Sequence, residues 1–182
     1  ERHMVFANND RPGIMLASAG RTYLNHFGVA VGAKVGVYTA HDSAYEAAID
    51  LKKAGVSVPV IVDAREKPGE GVLAQARALG IEVLTGHGVV DTSGRLRVRS
   101  ITVRRNGGGS TRKIEVDALL MSAGWTPSVH LFSQSRGKVA FDDATCTHCG
   151  ETGLPANADR AAWHMARLSS RPEYTKASSS PP

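Results

Sequence analysis

Apolar positions along this chain follow two periods, and the changes between them outline the fold. Residues 34–39 form a valine-rich run without polar alternation, the pattern of a strand buried on both faces. Ser43 and Glu46 then stand at capping-box spacing, which predicts that each side chain satisfies an orphan backbone N–H at a helix start. Ala44, Ala47, Ala48, Leu51 and Ala54 recur at helical intervals on one narrow face, and Gly55 supplies the stop. Residues 58–62 give a second strand, with Pro59 tolerable only near its beginning. Strand, helix and strand within about thirty residues is the length of one βαβ unit. The pattern then repeats. After a polar loop at 65–71, Val72, Leu73, Ala76 and Leu79 mark another amphipathic helix closed by Gly80, and residues 81–84 another strand. Two successive strand–helix pairs leading into a third strand predict a parallel sheet with right-handed crossovers.

The flanks read differently. Residues 1–6 carry no start signal, and 8–13 form a turn around Pro12 and Gly13. Met15, Ala19 and Thr22, with Leu16, Tyr23 and Phe27, predict a helix over 14–27 that Gly28 ends. Beyond the third strand, turns at 91–94 and 106–110 separate segments in which Leu96, Val98, Ile101 and Val103 alternate with polar residues, mostly arginines, and 113–116 returns. That is an antiparallel meander appended to the parallel sheet. Residues 118–121 are once more a buried strand, ending at 122–127. The expected fold class is therefore α/β: a Rossmann-like βαβαβ parallel sheet with an appended β-meander, plus short pieces of a neighbouring domain. From residue 145 the periodicity fades apart from a helical pattern at 158–168, and the Ser/Pro-rich end at 176–182 has a disordered composition.

Composition narrows the function classes. The 182 residues suffice for one domain and a piece of another, and 42% hydrophobic content supports a core. No run approaches the ~20 apolar residues that span a bilayer, and the first residues lack a signal-peptide core, so a cytoplasmic protein with no membrane partner is expected. The net charge of +5 arises from 22 basic against 17 acidic side chains, with the excess concentrated at 95–113. Without interleaved aromatics for base stacking, that patch reads as the solvated face of a hairpin, and no nucleic-acid partner is expected. Cys146 and Cys149 are the only cysteines, which excludes a disulfide framework. A redox pair would need a thioredoxin-like setting and zinc would need four ligands, where only His148 and His164 lie nearby. The pair is taken as incidental.

Candidate chemistry gathers at strand ends. In a dinucleotide fold the first βα turn carries glycines that admit the pyrophosphate, and an acid at the end of the second strand binds a ribose hydroxyl. Here that turn runs Thr39, Ala40, His41, Asp42, Ser43, Ala44, with no glycine, and Asp42 puts negative charge where an anion should sit. Thr39, Asp42 and Ser43 line the sheet edge where open α/β sheets place ligands, although Ser43 also suits a plain N-cap. Asp63 occupies the ribose position or acts as a cap, and Arg65 beside it suits a 2′-phosphate or solvent. Gly124 and Trp125 touch a nucleotide or, for Trp125, pack an interdomain seam. No nucleophile and base stand at a spacing that argues for covalent catalysis, and His41, His87 and His130 bring no ligand pattern.

The order of elements, with Gly124-Trp125-Thr126-Pro127 as a G-x-x-P turn after the last strand, resembles the pyridine-nucleotide domain of the two-dinucleotide flavoproteins. The stretches FANNDRPGIMLA (6–17), YLN (23–25), DSAY (42–45) and VHLFSQSRGK (129–138) narrow the resemblance to the alpha subunit of heterotetrameric sarcosine oxidase, across residues 1–143. It implies an oxidoreductase complex that demethylates sarcosine oxidatively, an NAD-bearing subunit, FAD and FMN elsewhere in the complex, and the other subunits of a hetero-oligomer as partners. The family's glycine-rich motif lies upstream of the matching region and its folate-binding domain is absent from these residues, so a fragment inactive alone is expected. The implied division is 1–30 as the edge of a first dinucleotide domain, 31–125 as the Rossmann-like domain, 126–144 as a return segment, and 145–182 as a divergent tail. The rival expectation is a structural module that keeps the fold and has lost the ligand.

Overall fold

The computed structural model describes residues 1–142 and 147–150. They fall into two units, one of Glu1–Gly124 and one beginning at Trp125. The first unit is the expected Rossmann-like architecture. Strands β1 (Ile14–Leu16), β2 (Val35–Thr39), β3 (Val60–Asp63) and β4 (Glu82–Thr85) alternate with helices α1 (Ala17–Phe27), α2 (Ser43–Lys53) and α3 (Glu70–Ala78). A meander of β5 (His87–Ser93), β6 (Ser100–Arg105) and β7 (Thr111–Glu115) follows, and β8 (Ala118–Ser122) returns to the sheet. The five-stranded sheet has the order β1-β8-β2-β3-β4 and every neighbouring pair is parallel. Val37 lies opposite Ile61 and Tyr38 opposite Val62.

The strand residues are buried on both faces because two different layers cover the sheet. Val35, Val37, Ile61, Ala118 and Leu120 point into one cluster with Ala44, Tyr45, Ala47, Ala48 and Leu51 of α2. The alternate positions Tyr38, Val60, Val62 and Leu119 enter a second cluster with Val89, Ile101, Val103 and Ile114 of the meander. Successive strand side chains face opposite ways, so one continuous apolar run feeds both cores. Small residues set the spacing. A Cβ at Gly20 of α1 would lie 2.6 Å from Leu120 Cδ2, closer than carbon atoms approach, so glycine lets that helix lie against β8.

The N-terminal segment departs from expectation. The helical period predicts one helix over 14–27, but Ile14–Leu16 form a strand paired with Leu119–Met121, and the helix begins only at Ala17. The three residues carry helical-period and strand-compatible apolarity alike, and the open edge of β8 decides for the strand. β1 and α1 belong to the unit Glu1–Gly124. Gly28 ends α1 in the left-handed conformation, φ 66°, as predicted. In the meander, β5 has no counterpart among the predicted strands, and Asp91, Thr92 and Ser93, whose composition predicts a turn, belong to it; an irregularity between Val89 and Asp91 breaks the alternation of a regular strand. Ala54, assigned to the buried face of α2, is exposed, while Tyr45 and Ile49 are buried there.

The second unit contains α4 (His130–Gln134), β9 (Val139–Asp142) and β10 (Thr147–Gly150), the two strands pairing antiparallel. His148 and Cys149 stand in β10; Cys146, His164 and the helical pattern at 158–168 lie outside the described residues. Among the described residues no helix is long and apolar enough to cross a membrane.

Two glycine substitutions should move stability in opposite directions. Gly20→Val overpacks the contact with Leu120 and should cost about 1–3 kcal/mol. Gly71→Ala, at an exposed position of α3 with nothing within 4 Å of the added carbon, should gain up to about 1 kcal/mol from helix propensity. Urea denaturation midpoints of the two variants check both signs.

Candidate functional site

The carboxyl ends of β2, β3 and β8 collect most of the residues singled out from the sequence. The chain leaves β2 toward β3 and β4 on one side, while β8 and β1 lie on the other, so the strand order reverses between β2 and β8. Open parallel sheets place their ligand crevice at such a reversal. Thr39 ends β2 fully buried. Its hydroxyl accepts the His41 N–H at 2.9 Å and lies 2.8 Å from the His41 carbonyl and 3.1 Å from that of Ser122. The Ala40 N–H donates to the same Ser122 carbonyl at 2.9 Å, joining the turn to β8.

The start of α2 is built differently from the predicted capping box. Asp42 is the N-cap in helical conformation and makes no side-chain cap. The Ser43 N–H instead donates to His41 Nδ1 at 3.1 Å, with the Ser43 hydroxyl 2.9 Å from the same nitrogen, while the Tyr45 N–H donates to the Asp42 carbonyl at 3.0 Å. Glu46 turns away to the α1 side, where Arg21 binds it and Asp50, the latter at 2.6 Å. The box fails because an imidazole and a competing arginine reach its two members first. Across the crevice, Gly124 has φ +93°, and a Cβ on it would lie 3.6 Å from His41 Cδ2, so the imidazole packs against that glycine.

Asp63 ends β3 with no exposed surface. Its Oδ1 accepts the Arg65 N–H at 2.9 Å and Arg65 Nε at 3.0 Å; its Oδ2 accepts the Tyr45 hydroxyl at 2.9 Å and Arg65 Nη2 at 2.8 Å. Arg65 also reaches Asp42 Oδ1 at 2.7 Å, and that oxygen accepts the Gly69 N–H at 3.3 Å. One guanidinium therefore joins the α2 turn, the end of β3 and the approach to α3. Burial, and after it the charge of Asp63, pushes the Tyr45 phenol far above its ordinary range. Burial works against the charge of Arg65, but its bonds to Asp63 and Asp42 outweigh that and raise its pKa further.

The structure thus brings Thr39, Asp42, Ser43, Asp63 and Gly124 to one edge; Trp125 opens the second unit. The Ser43 and Tyr45 amides that an anion would use at the helix start are already bonded, a side chain lies against Gly124 where a glycine-rich turn would leave room, and the four acceptor directions of Asp63 are filled. Tyr45 was missed as a member of this site. Its signal was present as one large phenol on a helix face otherwise wholly apolar and rich in alanine, since a buried tyrosine hydroxyl requires a partner. The open hollow along α1, lined by Arg21, Thr22, Asn25 and His26, involves none of these residues.

The remaining candidates are dispersed. His87 Nδ1 lies 2.7 Å from the Thr85 carbonyl, and His130 starts α4. Among the described residues no three His, Cys, Asp or Glu side chains are grouped to hold a metal. Arg95, Arg97, Arg99, Arg104, Arg105, Arg112 and Lys113 are all exposed. Arg112 pairs with Glu82 and holds its carboxyl below the usual range.

Comparison with known proteins finds relatives of this segment. No family model matches the chain. It is 44% identical over 149 residues to sarcosine oxidase subunit alpha of Corynebacterium sp. strain U-96, and 41% identical over 138 residues to the subunit of that name from Rhizobium meliloti strain 1021. This chain is homologous to part of sarcosine oxidase subunit alpha. The matches take in 78% and 76% of the chain but only 15% and 13% of the length of these subunits. Among solved structures, thioredoxin reductase of T. acidophilum superposes with a TM-score of 0.62 over 92% of this chain and 62% of its own, at 15% identity. L-proline dehydrogenase of P. horikoshii gives 0.57 over 86% and 26%, at 20% identity. At these identities the likeness establishes a shared fold, that of the Rossmann-like sheet with its meander.

Tyr45→Phe should lower stability by about 1.5–3 kcal/mol at neutral pH, the worth of a hydrogen bond to a buried carboxylate. The sign at alkaline pH follows from the raised phenol. The folded chain keeps the proton while the unfolded chain releases it near pH ~10, so this contribution is present below that value and falls as pH rises above it. The alkaline loss should be smaller in Tyr45→Phe than in the parent chain. Circular-dichroism melts from neutral pH up to the alkaline limit measure both effects.

Proposed function

We propose that this chain is a segment of the alpha subunit of a flavoenzyme of the sarcosine oxidase kind. In this reading the whole complex demethylates sarcosine oxidatively to glycine and passes the electrons to oxygen, the subunit carries NAD, and FAD and FMN belong to the wider complex. The partners are the other subunits of a hetero-oligomer in the cytoplasm. The 31–125 stretch is the Rossmann-like domain of that subunit, with 126–144 leading back toward a first dinucleotide domain. The segment contributes architecture and contact surface. No residue here is assigned a part in the chemistry.

The observation that carries this reading is the 44% identity over 149 residues with a named subunit. The fold alone would not carry it, since one fold hosts many activities. A second reading, a non-catalytic structural or interaction module of the same fold that has lost nucleotide binding, draws on the bonded state of the turn amides and of Asp63.

A chimaera tests the assignment. Residues 1–142 replace the matching segment of the Corynebacterium subunit, which is produced together with its partner subunits. The expected result is an assembled complex whose sarcosine-dependent oxygen uptake stays within about tenfold of the parent, a change of roughly 1.4 kcal/mol. A chimaeric subunit that folds but is excluded from the complex would remove this reading.

A further inference from the structure

We infer that the crevice between β2 and β8 is closed by the chain itself, so that His41 and the Arg65 clamp supply the bonds a bound dinucleotide would supply in an open member of this fold. The inference rests on the subunit assignment above only in expecting any nucleotide at all. It deepens that reading by excluding this crevice as the nucleotide's seat.

A dinucleotide in such a sheet leans on three things: amides at the start of the first crossover helix, close backbone approach at the first turn, and an acid at the end of the second strand. Each is already engaged by a side chain or carbonyl of this chain. His41 Nδ1 takes the Ser43 amide and the Asp42 carbonyl takes the Tyr45 amide. The His41 ring also lies against Gly124, which gives the turn a side chain where approach of a pyrophosphate needs none. Asp63 has no exposed surface, and a ribose hydroxyl would have to displace either Tyr45 or Arg65. Displacing Arg65 would in turn strip Asp42 of its cation and leave that carboxylate beside the entering phosphates. The substitutions are mutually supporting. His41 removes the opening, Asp42 adds negative charge where the anion would sit, and Arg65 ties both carboxylates together. Together they fix the relative placement of α2, the end of β3 and the loop before α3, which is the rigidity that a ligand confers elsewhere.

The test is a calorimetric titration of the 182-residue chain with NAD and, separately, NADP at millimolar concentration, paired with amide hydrogen exchange over residues 39–46. The expected results are no saturable heat, and slow exchange at Ser43 and Tyr45 without ligand that neither nucleotide changes. Saturable binding that leaves this exchange unaltered, and that survives Asp63→Asn and Arg65→Met, would put the nucleotide elsewhere on the chain and agree with the inference. Saturable binding that slows exchange over 39–46, or that Asp63→Asn weakens by about tenfold or more, would overturn it. Failure of the chimaera on sarcosine would leave this result untouched, because the titration requires only the folded chain.

Discussion

A carboxylate with no exposed surface, Asp63, stands at the end of β3, and its neighbourhood is arranged around satisfying it. An ion moved from water into a protein interior loses several kcal/mol of solvation unless it is paired and fully hydrogen-bonded. Arg65 answers with two guanidinium bonds and a backbone amide, and Tyr45 adds a phenol from the facing helix. That requirement fixes where α2 starts, since the phenol must arrive over the strand end. It also fixes the loop before α3, since the guanidinium that serves Asp63 carries Asp42 with it, and Asp42 receives Gly69. A buried ion pair of this kind adds little net stability compared with an apolar replacement, but removing one member leaves the other uncompensated. Its effect is on specificity: few other packings of α2 on the sheet would satisfy all four groups.

The sheet beneath that cluster is held from both sides. Helices cover one face and a meander the other, so β2, β3 and β8 have no solvent-facing register to slip into. A one-residue shift of β2 would exchange Val37 with Tyr38 between two cores of different shape. The glycine at position 20 sharpens the same constraint, because α1 can approach β8 only where it has no side chain. Edge strands are looser. β1 has three residues, and β4 is only partly buried.

The interior of this fold was legible in the sequence because its signals are local and redundant. β2, α2, β3, α3, β4 and β8 each showed an apolar run or a helical face closed by a glycine, and all six are present. What was not legible depended on partners distant in the chain. β1 is a strand because β8 offers an edge about a hundred residues later, and no window around Ile14 contains that fact. The capping box at Ser43 and Glu46 was the correct local inference and is absent, because His41 stands closer to the Ser43 amide and Arg21 of another helix takes the glutamate. At the site, the missing glycines were plain in the residues 39–44. That Asp63 faces Tyr45 and Arg65 was not, since α2 must be packed on the sheet before a phenol eighteen residues upstream can meet it.

The same cluster bears on how a homologous segment can keep a fold without keeping each of its sites. In an open Rossmann-like crevice the strand-end acid is solvated or ligand-bound, and its charge is useful only when something arrives. Here that acid has been turned inward, and the adjoining turn has traded flexibility for a side chain. Packing of the core places no demand on the crevice so long as the carboxylates at its mouth are hydrogen-bonded. A guanidinium bonded to two carboxylates meets that demand permanently, whereas a ligand meets it only while bound. The clamp is therefore best understood as a trade within a single fold: the freedom to receive a nucleotide is exchanged for a strand-end geometry that does not depend on one.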